Sequence, residues 1–191
     1  MTIRWSSFAL GALALFLLGL LVALLVILTG GYNVAATERH TPVGAWALNT
    51  NFVNSVQGHA ADITAPELTR AMVDAGAPEY KSMCAHCHGG VGESRAGWAE
   101  GMRPKPPALA RVADQWSASE VYWLVDHGAK MTGMPAFGAT HDEETMWNIT
   151  AFVKAMPRMG EAQYAAYSSE HGGGSEEAGH SHAPGTEPHE D

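Results

Sequence analysis

The only two cysteines of the chain stand in Cys84-Ala85-His86-Cys87-His88. Thiols at this spacing, followed at once by an imidazole, are placed to add to the two vinyl groups of one porphyrin while His88 binds its iron. Three other chemistries use paired cysteines. A thiol–disulfide exchange pair needs a βαβ framework, for which the sequence has no pattern. A zinc site takes Cys84, Cys87 and His88 plus a fourth ligand and usually shows a second paired cluster. A plain structural disulfide is the third. None of these uses both the adjacent histidine and a methionine further along.

That methionine is Met134, in Gly133-Met134-Pro135-Ala136-Phe137-Gly138. Proline after it biases Met134 toward an extended backbone, and a stiff loop bordered by glycines projects a thioether at a fixed point. Met134 is therefore the expected sixth ligand, with Met131, read as ending the preceding helix, as its rival. Met72, Met146 and Met156 read as gap-filling core residues. Ligation by His88 and Met134 fills both axial positions, which favours electron transfer over catalysis, so the chain is expected not to be an enzyme. The imidazole's other nitrogen needs a partner, and the run Pro104 to Pro107 offers carbonyls not committed to a helix or sheet. Trp98, Arg103 and Lys105 are weaker candidates for the haem propionates. His127 reads as a helix-end histidine favoured there by the dipole.

The succession Gly76-x-x-x-Tyr80-x-x-x-Cys84-x-x-Cys87-His88, a proline-containing loop, Gly-Met-Pro and a last helix with aromatic residues resembles a class I single-haem cytochrome c. The resemblance covers roughly Pro66 to Pro157. It implies a mainly α domain wrapped around one covalent haem c, its first and last helices crossing near Gly76, Tyr80 and Trp147. The sequence is similar to the cytochrome modules of bacterial respiratory chains, including those fused to oxidase subunits. The implied partners are the electron donor and acceptor proteins of such a chain. The implied role is a tethered single-electron carrier, or alternatively a fixed cytochrome c subunit of a membrane oxidoreductase or oxidase. Pro78 departs from a continuous first helix.

The elements that position these residues follow a membrane segment. Phe8 to Leu28 is an apolar run of 21 residues, long enough at 1.5 Å per residue to span about 31 Å, against a hydrocarbon core of about 30 Å. It is expected to cross the cytoplasmic (inner) membrane once, with the haem domain on the periplasmic side and the lipid bilayer as a partner. A cleaved secretory signal is the alternative, with Val34-Ala35-Ala36 as a cleavage site, but signal peptides have apolar regions of about 7 to 15 residues. The chain divides into an anchor over residues 1–31, a juxtamembrane segment with a helix over 32–65, the cytochrome domain over 66–160 and an acidic, His-containing disordered tail over 161–191.

Within this division Thr41-Pro42 reads as an N-cap and first helical residue, opening a helix to about Gly58 that has no Asp, Glu, Lys or Arg. It is suited to a membrane interface, to a partner, or to its own domain. Pro66 starts the next unit, interrupted near Gly76 and Pro78. A helix from Ser117 to His127 carries the capping box Ser117/Glu120 and stops at Gly128. Another runs from about Asp142 to Met156, with Thr140/Glu143 as a possible box. The long irregular stretch Gly89 to Asp114 is expected to wrap something.

Residues 66–160 carry nine Lys/Arg and eleven Asp/Glu, whereas 161–191 carry seven acids and no Lys or Arg. The net charge of −9 thus belongs mainly to the tail. No basic patch interleaved with aromatics occurs, so nucleic acid is not an expected partner. The tail histidines His171, His180, His182 and His189 are suited to loose metal chelation or simply to solubility.

Overall fold

A computed structural model describes residues 5–167. The tail beyond them, with its four histidines and the expectation of disorder, lies outside the described residues. Among those described there are helices and no strands.

Helix α1 (Trp5–Thr29) has no charged residue and buries none of its side chains. It is the helix long and apolar enough to cross a membrane. Gly30, at φ 65, ends it, and the Gly31 N–H bonds back to the Val26 carbonyl at 3.0 Å. That closure uses the left-handed conformation glycine adopts without strain.

Helix α2 (Pro42–Ala60) starts as the sequence requires, with the Thr41 hydroxyl accepting from the Gly44 N–H at 3.2 Å and Pro42 in the first turn. Its second half lies on its own domain. Val56 and Ala60 are buried, Phe52 meets Trp116 edge-on at 6.0 Å, and His59 lies 5.5 Å from Trp123.

Helix α3 (Arg70–Glu79) is capped by Thr69 and runs straight through Gly76 and Pro78. The interruption expected near these residues does not occur. Pro78 lacks an N–H and so cannot bond the carbonyl four residues back. Instead of breaking, the chain widens just beyond it into a π-helical turn, Tyr80–Cys84, and re-tightens as α4 (Ala85–His88). Gly76 serves packing: a Cβ there would stand 2.0 Å from the Asn148 carbonyl oxygen, so only glycine lets α3 and α7 cross this closely.

Two short turns, α5 (Leu109–Val112) and the 3-10 turn Ala113–Gln115, lead to α6 (Ala118–His127), whose Ser117/Glu120 capping box is complete. Helix α7 (Glu143–Ala155) begins differently from expectation: the Asp142 carboxylate accepts from the Thr145 N–H at 2.8 Å, in place of a Thr140/Glu143 box. A carboxylate one residue before the helix suits both the free N–H and the positive end of the dipole. Trp147 turns its ring onto Tyr122 of α6, stacked at 4.1 Å, while Tyr80 meets Phe152 at 5.3 Å across the α3–α7 crossing.

Packing continues past Gly160, where the sequence reading placed the end of the domain. Helix α8 (Glu161–Ala165) puts Tyr164 at 0% exposure against the core, and Tyr167 packs edge-on to Phe152 at 5.4 Å. An absence of Lys and Arg marks composition, and it hid two aromatic residues that belong to the core.

Candidate functional site

Cys84 ends the π-helical turn, and Cys87 and His88 lie in the single turn α4, so the three residues share one helical stretch. Both cysteines are free thiols, partly buried. Cys84 packs against the core, and burial, with Cys87 and Glu79 nearby, pushes its thiol up to about 12. Among the described residues no three His, Cys, Asp or Glu side chains converge on a point, which is what the zinc alternative requires.

The turn is held from behind and from the side. The buried Tyr80 hydroxyl donates to the Gly89 carbonyl at 2.7 Å, fixing the chain just after His88. Gly89 has φ 73, and its position brings the backbone of Glu93 to Arg95 close enough that no Cβ would fit. The Ala96 N–H reaches the His86 carbonyl at 2.9 Å.

His88 Nδ1 donates to the Pro107 carbonyl at 2.8 Å, as expected from the proline run. Since a carbonyl only accepts, this bond fixes the proton on Nδ1 and leaves Nε2 as the nitrogen with a lone pair. Burial pushes the imidazole below its ordinary value, against the raising effect of that bond, and the Arg95 charge pushes the same way. A neutral imidazole is the form that binds a metal.

Arg95 is a residue that sequence reasoning missed. Its side chain is 9% exposed, donates to the Pro106 carbonyl and pairs with Glu100 at 3.3 Å. It thereby holds the peptide next to the one that orients His88. Arg103 instead donates to the carbonyls of Glu100 and Met102, Lys105 pairs with Glu100, and Trp98 is 65% exposed.

Met134 is half-buried in the loop after α6. Its N–H donates to the Thr132 hydroxyl at 3.0 Å, and its carbonyl accepts from the Ala129 N–H at 3.2 Å. Thr132 in turn donates to the Ala129 carbonyl at 2.7 Å. Both backbone groups of Met134 are therefore pinned, by partners that Gly133 and Pro135 alone did not reveal. Thr132, two residues before the methionine, had a legible signal, since Thr commonly bonds the backbone two positions on. Gly128, at φ 65, ends α6 and lies so close to Met134 and Pro135 that a Cβ would stand 2.7 Å from the Met134 oxygen. The Met102 methyl group packs against Gly133. Met131, the rival, stands in the loop beyond the end of α6, at φ 62, and is 91% exposed. His127 is the expected helix-end residue, its ring stacked on Trp123 at 4.8 Å.

These residues fit a haem. The free thiols of Cys84 and Cys87 stand one turn apart, as attachment to two porphyrin vinyl groups requires, and His88 has its proton fixed on the nitrogen away from the lone pair that an iron ligand needs.

Residues 71–153 match the family described as "Cytochrome C oxidase, cbb3-type, subunit III". No curated protein and no solved structure matches the chain. The match spans nearly all of α3 and of α7 with the cysteine turn and the Met134 loop between them, and the Cys84-x-x-Cys87 pair within it is consistent with one covalent haem c. This chain therefore carries a cytochrome c domain, an electron-carrier domain, behind an N-terminal apolar helix.

Proposed function

We propose that the chain is a membrane-tethered electron carrier whose single haem c is joined to Cys84 and Cys87 and ligated axially by His88 and Met134. The observation that carries this reading is the 2.8 Å bond from His88 Nδ1 to the Pro107 carbonyl, which prepares the other ring nitrogen for iron. When bound, the haem supplies a one-electron iron couple. The chain's own residues set its properties: Pro107 orients the histidine, Arg95 secures the loop that carries Pro107, and the pinned Met134 offers a thioether, which raises a potential relative to a second imidazole. On this reading helix α1 is the tether, and the haem domain lies on the periplasmic side of the inner membrane, the compartment where haem attachment of this kind takes place. Donors and acceptors of a respiratory-type chain are the partners.

A second reading, a fixed subunit of an oxidase or other membrane oxidoreductase, draws support from the family's description as an oxidase subunit. Sizing the haem-containing species after mild detergent extraction separates the two: a monomer supports the carrier, and stable co-purification supports the subunit. For the haem itself, acid-acetone extraction is expected to leave the colour on the polypeptide, and a potentiometric titration to show a single one-electron wave. Colour that leaves with the solvent contradicts the reading.

A further inference from the structure

The first two turns of α2, Val43-Gly44-Ala45-Trp46-Ala47-Leu48, carry no polar side chain. They stand clear of the haem domain: Val43 is 72%, Trp46 68% and Leu48 56% exposed. At 100° per residue these three side chains are spread over more than half of the helix circumference. A groove on a protein partner covers one face of a helix, and here the apolar character goes round the axis. It changes along the axis instead, with Asn49, Thr50, Asn51 and Asn54 following at once. Six residues at 1.5 Å give about 9 Å, comparable with the 5–10 Å depth to which interfacial segments bury.

The chain before α2 brings this end to the level of the membrane helix. Tyr32, three residues past the end of α1, stacks on His40 with ring centroids 6.2 Å apart, and its hydroxyl bonds His40 Nδ1. The segment between them is thus a closed loop, and Thr41, next to His40, starts beside the residues that leave the bilayer. Tyr32 and Trp46 are side chains that favour the membrane–water boundary. The helix start is also prepared for burial, because Pro42 has no N–H and the Gly44 N–H is bonded to Thr41.

We propose that Val43 to Leu48 enters the headgroup–acyl boundary of the bilayer crossed by α1, end first, while the second half of α2 holds the haem domain. The domain is then fixed against the membrane surface at a set height. This rests on α1 being retained as an anchor. Because Thr41 to Ala61 contains no Asp, Glu, Lys or Arg, the insertion does not require anionic lipid.

The test uses the full haem-loaded chain reconstituted in phosphatidylcholine vesicles containing a phosphatidylcholine with a photoactivatable diazirine on its acyl chain near the headgroup. Flotation reports anchoring, and mass mapping of adducts reports insertion. The expected result is a floating protein with lipid adducts on both α1 and the peptide 43–48, unchanged when phosphatidylglycerol is added. Trp46→Glu is expected to remove the 43–48 adducts and leave those on α1. A floating protein labelled on α1 alone overturns this proposal and leaves the anchor intact, assigning the exposed turns to a protein partner. A chain that does not float overturns the anchor and this proposal together.

Discussion

At the scale of single residues, what was legible in the sequence was the chemistry fixed by residue type and spacing. Cys84, Cys87 and His88 declare themselves because thioether attachment and ligation need those atoms one helical turn apart. The Pro107 bond to His88 was legible as a region, since a proline run leaves carbonyls uncommitted. Arg95 was not, because its role arises across 11 positions of a folded loop, where it meets Pro106. Thr132 lies between these cases. Its hydroxyl accepts from the Met134 N–H and donates to the Ala129 carbonyl, so it closes the loop that carries Met134. Thr132→Val is expected to lose these bonds, worth about 0.5–1.5 kcal/mol each. If the loss of both falls on the closed loop, a total of about 1–3 kcal/mol, added imidazole should bind the oxidised haem about fivefold to a hundredfold more tightly. Thr132→Ser should restore the parent affinity. An imidazole titration that finds the Val variant unchanged would show that the hydroxyl does not hold the loop.

At the scale of elements, helix ends were more legible than helix interiors. Thr41-Pro42, Ser117 with Glu120, and Gly128 act where the sequence placed them, because caps are local bargains between a side chain and nearby N–H or carbonyl groups. Gly76 and Pro78 were misread as an interruption because both residues weaken an isolated helix. Their reason is tertiary: Gly76 admits the backbone of α7, and the packing gained there keeps α3 continuous past Pro78. Gly76→Ala tests this. The new methyl group would meet the Asn148 oxygen at 2.0 Å and the Ile149 nitrogen at 2.9 Å, backbone atoms that cannot swing aside. Overpacking of this kind costs about 1–3 kcal/mol or more, whereas the same change in a free helix gains up to about 1 kcal/mol. Denaturant unfolding of the haem-loaded protein is expected to show a clearly lowered midpoint. An equal or raised midpoint would mean that the two helices do not meet at Gly76.

For the whole molecule, the domain closes on its far side with residues that composition had assigned to the tail. Tyr164 is fully buried on Phe152 and Gly90, with the Lys81 ammonium over its ring at 4.4 Å. Its hydroxyl is the buried side-chain polar atom without a hydrogen-bond partner among the described residues. Apolar burial is thus its contribution, and Tyr164→Ala is expected to cost about 3–5 kcal/mol, as large aromatic truncations do. Tyr164→Phe should be as stable as the parent or more so; thermal unfolding of both variants checks this, and an Ala variant that melts with the parent would detach α8 from the core. Function turns on the iron, because a haem with both axial positions filled transfers electrons, and one with a position open reacts. The most direct test is the absorption spectrum of the oxidised protein carrying Met134→Ala beside one carrying Met131→Ala. The Met134 variant is expected to lose the weak long-wavelength sulfur-to-iron band, to have a lower potential and to bind small ligands, and the exposed Met131 should be replaceable without any of these changes. A band that survives in the Met134 variant would contradict the assignment of Met134 as the axial ligand.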